Sequence, residues 1–440
     1  MPIVKPVRGI ELNLPDGSDI STRIAPPYDV LDETSKAALL ARDARNIVAV
    51  DLPHLPPKTV GPDATYEKAG DLYRRWQAEG TFRAAAAPAM YAYRQTFTAK
   101  GQTFRRLGLI ADTALLPFGK SPDGRGGIFP HEQTFGAPKE DRLKLMRASR
   151  AQLSPVFGLY SDPQRQVSGL LAEAMAKPAT FHARTANDDV LHEAWRITES
   201  EKLDALSQAL RDKDVFIADG HHRYTTALNY RAEIEARSGK LPTDHPANFC
   251  LFVLVAMQEP GMIVLPTHRV LGGMAGFMFE RFTSAAQAAG IRIEPFSGTD
   301  LAALERALPG KGPHAMGLYH AGSLHIATTT DADPLARDFP KRVAAWRQLD
   351  VAVVQHLLVE RVCQPTFAAG KPEGITWKFP HTLADLKSIT DGPDFQLGVI
   401  VQPTPLESVR QVSEAGELMP QKSTFFYPKL ATGIVVHPLE

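Results

Sequence analysis

Cysteine is scarce in this chain, and its scarcity limits the kinds of protein the chain can be. The 440 residues include only Cys250 and Cys363, and neither belongs to a CxxC pair. This argues against a disulfide framework and against a structural zinc site, which both need clustered cysteine or histidine residues. Cys250 lies within the apolar run 249–256, which predicts a buried core thiol.

An excess of charge of one sign is also absent. Lys and Arg together number 49, and so do Asp and Glu, so the formal net charge at pH 7 is zero. Proteins that bind nucleic acid or anionic membranes usually carry a basic surface that attracts phosphate groups. The charge balance therefore argues against nucleic acid as a partner.

Long hydrophobic runs are missing as well. No stretch approaches the length of about 18 uninterrupted apolar residues that predicts a membrane-spanning helix. The first ten residues, MPIVKPVRGI, contain no continuous apolar segment of the kind found in secretory signals. We therefore expect a soluble cytoplasmic protein with no membrane partner.

The length of the chain predicts more than one domain. Strand and helix patterns are mixed throughout, which predicts an α+β fold of the mixed α/β class. We expect three α/β portions, covering residues 1–160, 161–290 and 291–440. The first contains the strings PPYDV and PHEQT, and the second contains the string DGHHR.

Apolar spacing and turn residues predict individual elements. Asp32 is a suitable N-cap for the helix that is expected to follow it. The predicted helices cover 33–42, 63–79, 139–150 and 351–359. The predicted strands cover 90–98, 104–115, 156–159, 215–218, 249–257, 261–266 and 395–401.

The segment VFIADGHHRYTTA, residues 215–227, carries the clearest chemical signal. A short apolar strand runs through Asp219 and Gly220 into a helix that opens with His221, His222 and Arg223. A helix start presents unpaired N–H groups and a partial positive charge, and the glycine allows close approach of a ligand. The pattern favours a bound phosphate or other anion. The alternative is a histidine pair that only caps the helix.

Three other segments carry side chains suited to phosphate chemistry. Glu132, within PHEQT, follows an apolar segment and could serve as a general base or a Mg²⁺ ligand. Its alternative is a loop carboxylate that pairs with an arginine such as Arg142. Arg269, within PTHR, could supply a further cation or could equally form a surface ion pair, and Lys422, within QKST, could supply an ammonium to a phosphate, although that string alone is a weak signal.

Several strings in this order resemble a known family. They are PPYDV, FPHEQT, DRLKL, SPVF, ADGHHRYTTA, LPTHRV and MPQKSTFFYPK. Together they are similar to those of the DUF1015 family, a bacterial and archaeal group of unknown function, across nearly the whole chain.

The DGHHR string after a strand also resembles the phosphate-contacting segment of the ParB/sulfiredoxin-like superfamily, which includes free-serine kinases. This resemblance implies a ParB/sulfiredoxin-like core with large additional α/β segments. It further implies that Gly220, His221, His222 and Arg223 hold a phosphate ester or a nucleotide such as ATP or ADP, with Mg²⁺. The base of the serine kinases has no matching segment in this chain.

The sequence hypothesis is a phosphoryl-transfer enzyme that acts on a small hydroxylated metabolite, with serine or phosphoserine as the leading candidate. Such chemistry needs cations around the phosphate and a carboxylate near the acceptor hydroxyl. His221, His222 and Arg223 would neutralise the phosphate, and Asp219 would orient an imidazole or hold Mg²⁺. Glu132, also a candidate Mg²⁺ ligand, or Asp29 would activate the attacking oxygen. The kinase and phosphatase directions both stay open.

Two alternatives from other classes remain at this point. One is a ParB-like nucleotide-binding regulatory module that engages DNA, against which the zero net charge counts. The other is a zinc- or iron-dependent hydrolase whose ligands would be His131, His221, His222 and His268.

Overall fold

The computed structural model describes residues 2–186, 188–369 and 374–440. Contacts within the chain define two compact units: unit 1 comprises Met1–Ile263 and Pro428–Glu440, and unit 2 comprises Val264–Tyr427. Both units combine strands and helices, so the predicted mixed α/β class is confirmed.

Unit 1 contains most of the strands and the longest helices. Its strands are β1 (Val4–Lys5), β2 (Ile10–Leu12), β3 (Ser18–Asp19), β4 (Phe82–Ala84), β5 (Met90–Ala99), β6 (Gln102–Ala114), β7 (Gly119–Lys120), β8 (Gly127–Phe129), β9 (Ala151–Gln152), β10 (Val156–Tyr160), β11 (Phe181–Arg184), β12 (Leu191–Ile197), β13 (Asp214–Asp219), β14 (Phe249–Ala256) and β23 (His437–Pro438). Its helices are α1 (Glu33–Arg42), α2 (Val48–Asp51), α3 (Asp63–Ala78), α4 (Gly136–Ser149), α5 (Gln166–Ala174), α6 (Ser200–Leu210) and α7 (His221–Ser238), with 3₁₀ turns at Tyr28–Val30 and Pro246–Asn248.

One large sheet organises unit 1. Its strand order is β3-β11-β12-β5-β6-β14-β10-β13-β8-β7, and β1 pairs with β6 outside this path. Strand β10 runs parallel to β14 and antiparallel to β13, which in turn runs parallel to β8. The predicted boundary at residue 160 therefore falls inside the sheet, because it separates β10 from both of its neighbours. The division into two units replaces the three predicted portions.

The apolar patterns that predicted these elements also explain their burial. All eight residues of β14 are buried, as expected for a central strand with both faces covered. Cys250, on this strand, is a buried free thiol, as predicted. Helix α1 begins where expected, because the Asp32 carboxylate accepts a hydrogen bond from the Ser35 N–H at 2.8 Å. The hairpin of β5 and β6 is also confirmed.

A glycine in α3 lets this helix lie close to α4. A Cβ built on Gly70 would stand 2.3 Å from the carbonyl oxygen of Ala148, whereas one built on Gly169 in α5 would meet nothing within 4 Å. We expect Gly70→Ala to lower the free energy of unfolding by about 1–3 kcal/mol through overpacking. Gly169→Ala, the matched control, should raise it by about 0.5–1 kcal/mol. Urea unfolding measures both, and equal effects would contradict the packing argument.

Unit 2 is built around a second, smaller sheet. Its strands are β16 (Arg269–Gly272), β17 (Ile291–Pro295), β18 (Met316–His320), β19 (Ser323–Thr329), β20 (Thr376–Lys378), β21 (Phe395–Ile400) and β22 (Phe425–Tyr427), and β15 (Ile263–Leu265) crosses the boundary in sequence. Its helices are α8 (Phe279–Ala288), α9 (Leu301–Ala307), α10 (Ala344–Arg347), α11 (Asp350–Val353), a π-helix (Val354–Cys363), α12 (Gln364–Phe367), α13 (Leu383–Thr390) and α14 (Leu406–Glu414). The antiparallel sheet has the order β17-β19-β18-β21-β16-β20.

Within the described ranges, none of the helices has both the length and the apolar character needed to cross a membrane. The cytoplasmic location expected from the sequence stays a prediction.

Candidate functional site

The start of α7 has the geometry that the sequence predicted. Strand β13 ends at Asp219, Gly220 adopts φ 94° and ψ 25°, and α7 then runs for 18 residues from His221. The positive φ is a conformation that side chains with a Cβ rarely adopt, so glycine is required at this turn. The helix start is therefore a place where unpaired N–H groups and a partial positive charge are available to an anion.

His221 is buried and faces the PHEQT loop. Its Nε2 accepts a hydrogen bond from the backbone N–H of His131 at 3.3 Å, which leaves the ring proton on Nδ1. Nδ1 lies 3.8 Å from a carboxylate oxygen of Glu132. Burial, together with the neighbouring His131, lowers the pKa of His221, which disfavours the charged form of the ring. The predicted neutralisation of phosphate charge by His221 stays a prediction.

His222 is the point where several predicted residues come together. Its Nε2 accepts a hydrogen bond from the backbone N–H of Phe135 at 3.0 Å. Burial lowers its pKa, and Glu132, Lys58 and Asp29 are close enough to influence that pKa. As at His221, the direction of this shift disfavours the charged form of the ring. The structure nevertheless brings Asp29 and Glu132, two of the candidate bases, to the same helix start.

Two lysines that the sequence reasoning missed supply positive charge at this place. Lys58 lies 3.3 Å from one carboxylate oxygen of Asp29, and Lys139, from α4, also lowers the pKa of His222. The other carboxylate oxygen of Asp29 is buried and has no hydrogen-bond partner among the described residues. Neither lysine belongs to a recognisable sequence pattern. We use the term "helix-start cluster" for Asp29, Lys58, Glu132, Lys139, His221 and His222.

Asp219 is engaged by two cations. Its Oδ1 accepts a hydrogen bond from the Lys429 ammonium, and its Oδ2 accepts one from Arg223 at 2.5 Å. Burial alone would raise the pKa of Asp219, but Lys429 and Arg223 together hold it below its usual value. The predicted roles of Asp219 as an imidazole-orienting group and Mg²⁺ ligand are therefore corrected, since both of its oxygens already hold cations.

Arg223 has a structural role at the base of the helix. It also donates to the carbonyl oxygen of Pro155, and its guanidinium lies against Gly220. The guanidinium N–H groups of Arg223 therefore bind a backbone carbonyl and the Asp219 carboxylate. This favours a role for Arg223 in positioning the turn at Gly220 over the predicted neutralisation of a phosphate.

Behind Arg223 is a cavity that contains about 430 Å³, counting its opening to solvent. Four of its polar lining residues come from strings that carried the family resemblance, namely Tyr28, Arg142, Ser154 and Arg223. Arg142 lies 3.8 Å from the centre of the Tyr28 ring and pairs with Asp141 at 2.8 Å and with Asp51 at 3.4 Å. The alternative in which Arg142 pairs with Glu132 is therefore wrong.

Arg269 and Lys422 belong to unit 2, so the helix start in unit 1 does not itself contain them. Arg269 is buried and donates to the carbonyl oxygens of Thr267 and Lys422. The guanidinium of Arg269 is therefore hydrogen-bonded to backbone carbonyl groups and not to a phosphate site. From the same string as Lys422, the residue that reaches Asp219 is Lys429.

The alternative of a zinc- or iron-dependent hydrolase lacks a ligand set. In the part of the chain that the structure describes, no group of three or more His, Cys, Asp or Glu side chains could hold a metal ion. The Nε2 of His221 and that of His222 each accept a hydrogen bond from a backbone N–H, and His268 belongs to unit 2.

Buried neutral imidazoles make stability depend on pH. Burial, with a smaller contribution from Arg106, lowers the pKa of His192 to about 3. The unfolded chain binds a proton below about pH 6.5 while the folded chain does not, so stability is lost as pH falls from 6.5 towards 3. Between pH 6.5 and 5 this costs about 2 kcal/mol for His192 alone. We expect urea unfolding of His192→Gln to show a shallower pH slope than wild type, and identical slopes would contradict this.

Fold and site together define a mixed α/β protein with a charged cluster at the start of a long helix. The family described as "Protein of unknown function (DUF1015)" matches residues 4–352. The chain therefore belongs to the DUF1015 family.

Solved structures show remote similarity. A free serine kinase variant in complex with AMP is 12% identical, with 70% of this chain and 89% of that chain covered and a TM-score of 0.33. The C-terminally truncated SbnI of Staphylococcus aureus is 10% identical, with 71% and 84% covered and a TM-score of 0.32. A conserved hypothetical protein from Pyrococcus furiosus is 14% identical, with 72% and 98% covered and a TM-score of 0.31. Among curated proteins no match was found.

Proposed function

We propose that unit 1 transfers a phosphoryl group between a phosphate donor and a small hydroxylated metabolite at the start of α7. The observation that carries this proposal is the helix-start cluster itself, in which two carboxylates, two lysines and two imidazoles meet at a helix start. Phosphoryl transfer depends mainly on positioning and on charge stabilisation, and these groups supply both.

The phosphate would occupy the helix start, where the first N–H groups of α7 and the turn at Gly220 allow close approach. Lys58 and Lys139 would supply the positive charge that the sequence hypothesis had assigned to His221 and His222. Lysine is a suitable partner because its ammonium acts as a point charge towards phosphate oxygens. The ion pairs that Asp219 forms with Lys429 and with Arg223 would hold the turn and the first residues of α7 in place.

Glu132 would act as the general base. Its side chain is 31% exposed, so a substrate hydroxyl can reach it, and it faces the protonated Nδ1 of His221. At 3.8 Å this imidazole is near the carboxylate without forming a hydrogen bond to it, so the Glu132 oxygens can approach a substrate hydroxyl. Asp29 is the second candidate, although its pairing with Lys58 already engages one oxygen.

With Glu132 as the base, magnesium would be held by Asp29 rather than by Asp219. Asp29 has a buried oxygen without a hydrogen-bond partner among the described residues, and Mg²⁺ typically takes one or two protein carboxylates together with phosphate oxygens and water. When bound, the ion would offset negative charge on the phosphate. Asp219 does not fit, because a metal would have to displace Lys429 or Arg223.

Serine and phosphoserine are the first substrates to test, with ATP, ADP and CTP as donors, each with and without Mg²⁺. A ligand present at about 100 times its Kd should stabilise the protein by about 2.7 kcal/mol, which a thermal shift measures. Stabilisation by phosphoserine and by no nucleotide would favour the phosphatase direction.

The same shift should be reduced in Lys58→Met. It should be unchanged in Lys100→Met, which removes an exposed lysine from the turn between β5 and β6. The proposal fails if none of these ligands shifts the melting temperature of the wild-type chain.

A further inference from the structure

One exposed apolar side chain, that of Phe135, lies against the helix-start cluster. In the described part of unit 1, five large apolar side chains are exposed, namely Ile3, Val30, Val60, Phe118 and Phe135. Of these five, Phe135 contacts His222 directly. A single exposed apolar residue is ordinary, so it is the way the ring of Phe135 is held that points to a ligand.

Phe135 is the member best placed to bind a ligand. Its ring is stacked on that of His222, with centroids 6.1 Å apart and planes inclined by 29°. The residue remains 42% exposed although its backbone N–H is fixed by His222. The ring is thus packed beside an imidazole, while the residue stays partly open to solvent. An aromatic ring held in this way is a platform on which a planar group can stack.

We infer that Phe135 stacks against the base of a nucleotide whose phosphates lie at the helix start. This inference rests on the proposed function and deepens it, because it selects a nucleotide as the phosphate donor and hence the kinase direction. The ligand class follows from the combination of an aromatic platform with Lys58 and Lys139 beside it. A phosphate ester of a small aliphatic metabolite would leave this platform uncovered.

The test compares two ligands that share a diphosphate group, of which ADP alone carries an adenosine; the Phe135 variants then separate the base from the ribose. ADP and pyrophosphate are titrated by calorimetry against the full chain, its Phe135→Ala and Phe135→Trp variants, and Phe118→Ala. Phe118 is the matched control, because it is 40% exposed and also contacts an aromatic ring, that of Tyr224. Phe135→Ala keeps the backbone N–H that His222 accepts.

We expect wild type to bind ADP about tenfold or more tightly than pyrophosphate, since stacking of one base on an aromatic ring typically supplies this factor. Phe135→Ala should bind ADP no more tightly than pyrophosphate, while its affinity for pyrophosphate stays that of wild type. Phe135→Trp and Phe118→Ala should both keep the tighter binding of ADP.

Three outcomes would overturn the inference. If wild type binds ADP no better than pyrophosphate, or if Phe135→Ala weakens both ligands equally, no base rests on Phe135, yet the proposed function survives. If ADP, pyrophosphate and phosphoserine all fail to bind, the proposed function fails together with the inference. Far-UV circular dichroism of each variant confirms that the fold is retained.

Discussion

Asp219→Asn is expected to lower the free energy of unfolding by about 3–5 kcal/mol at pH 7, the usual cost of breaking a buried ion pair. The substitution keeps the shape of the side chain but leaves Lys429 and Arg223, 17% and 12% exposed, facing each other without a carboxylate. Urea unfolding measures the loss. Because the folded-state pKa of Asp219 is lowered, the ionised form contributes stability at every pH above about 4 and loses it only on further acidification.

The same strand provides the control. Asp214 on β13 pairs with Lys120, which is 55% exposed, so Asp214→Asn should cost no more than about 1 kcal/mol. Adding Lys429→Met to Asp219→Asn should recover part of the lost stability, because it removes one of the two unpaired cations. Equal losses for the two Asp→Asn variants would show that the cluster around Asp219 does not stabilise unit 1.

Glu132→Gln is expected to lower kcat by a factor of about 10² to 10⁴ for the substrate pair identified by the ligand panel, which is the usual contribution of a general base. Glutamine keeps the size of the side chain but cannot accept a proton at neutral pH. The melting temperature should change little, since Glu132 is partly exposed and its nearest described partner, the Nδ1 of His221, lies 3.8 Å away. Steady-state kinetics and thermal unfolding measure the two effects separately.

Glu173→Gln is the matched control for this experiment. Glu173 is exposed on α5, and its replacement should leave both kcat and the melting temperature unchanged. Full activity of Glu132→Gln would remove Glu132 from the mechanism and make Asp29 the base to test next. A large stability loss in Glu132→Gln would instead indicate a structural role beside His221.

The element pattern was predictable because it depends on neighbours in the chain. The N-cap at Asp32, the hairpin of β5 and β6, and the turn at Gly220 all follow from side chains within a few residues. The domain boundaries were not predictable in the same way. Strand β10 pairs with β13 and β14 across a large separation in sequence, and no local signal marks such a pairing.

The candidate site shows the same contrast. The sequence pointed to Glu132, Asp29 and the residues after Gly220, since each stands in a short polar string next to an apolar element. The sequence hypothesis assigned positive charge to the imidazoles of His221 and His222, because local sequence does not show that these rings are buried. Lys58 and Lys139 were not predicted, because neither lysine stands in a recognisable motif.

By itself, the sequence determined that a strand, an Asp-Gly turn and a helix would present a helix start to an anion, because these features are set by residues adjacent in the chain. The tertiary structure alone decided which charges occupy that place. Lys429, 210 positions from Asp219, pairs with the carboxylate that had been expected to bind metal, and burial lowers the pKa of His221. Ion pairing and desolvation depend on distances in space, which local sequence patterns do not encode.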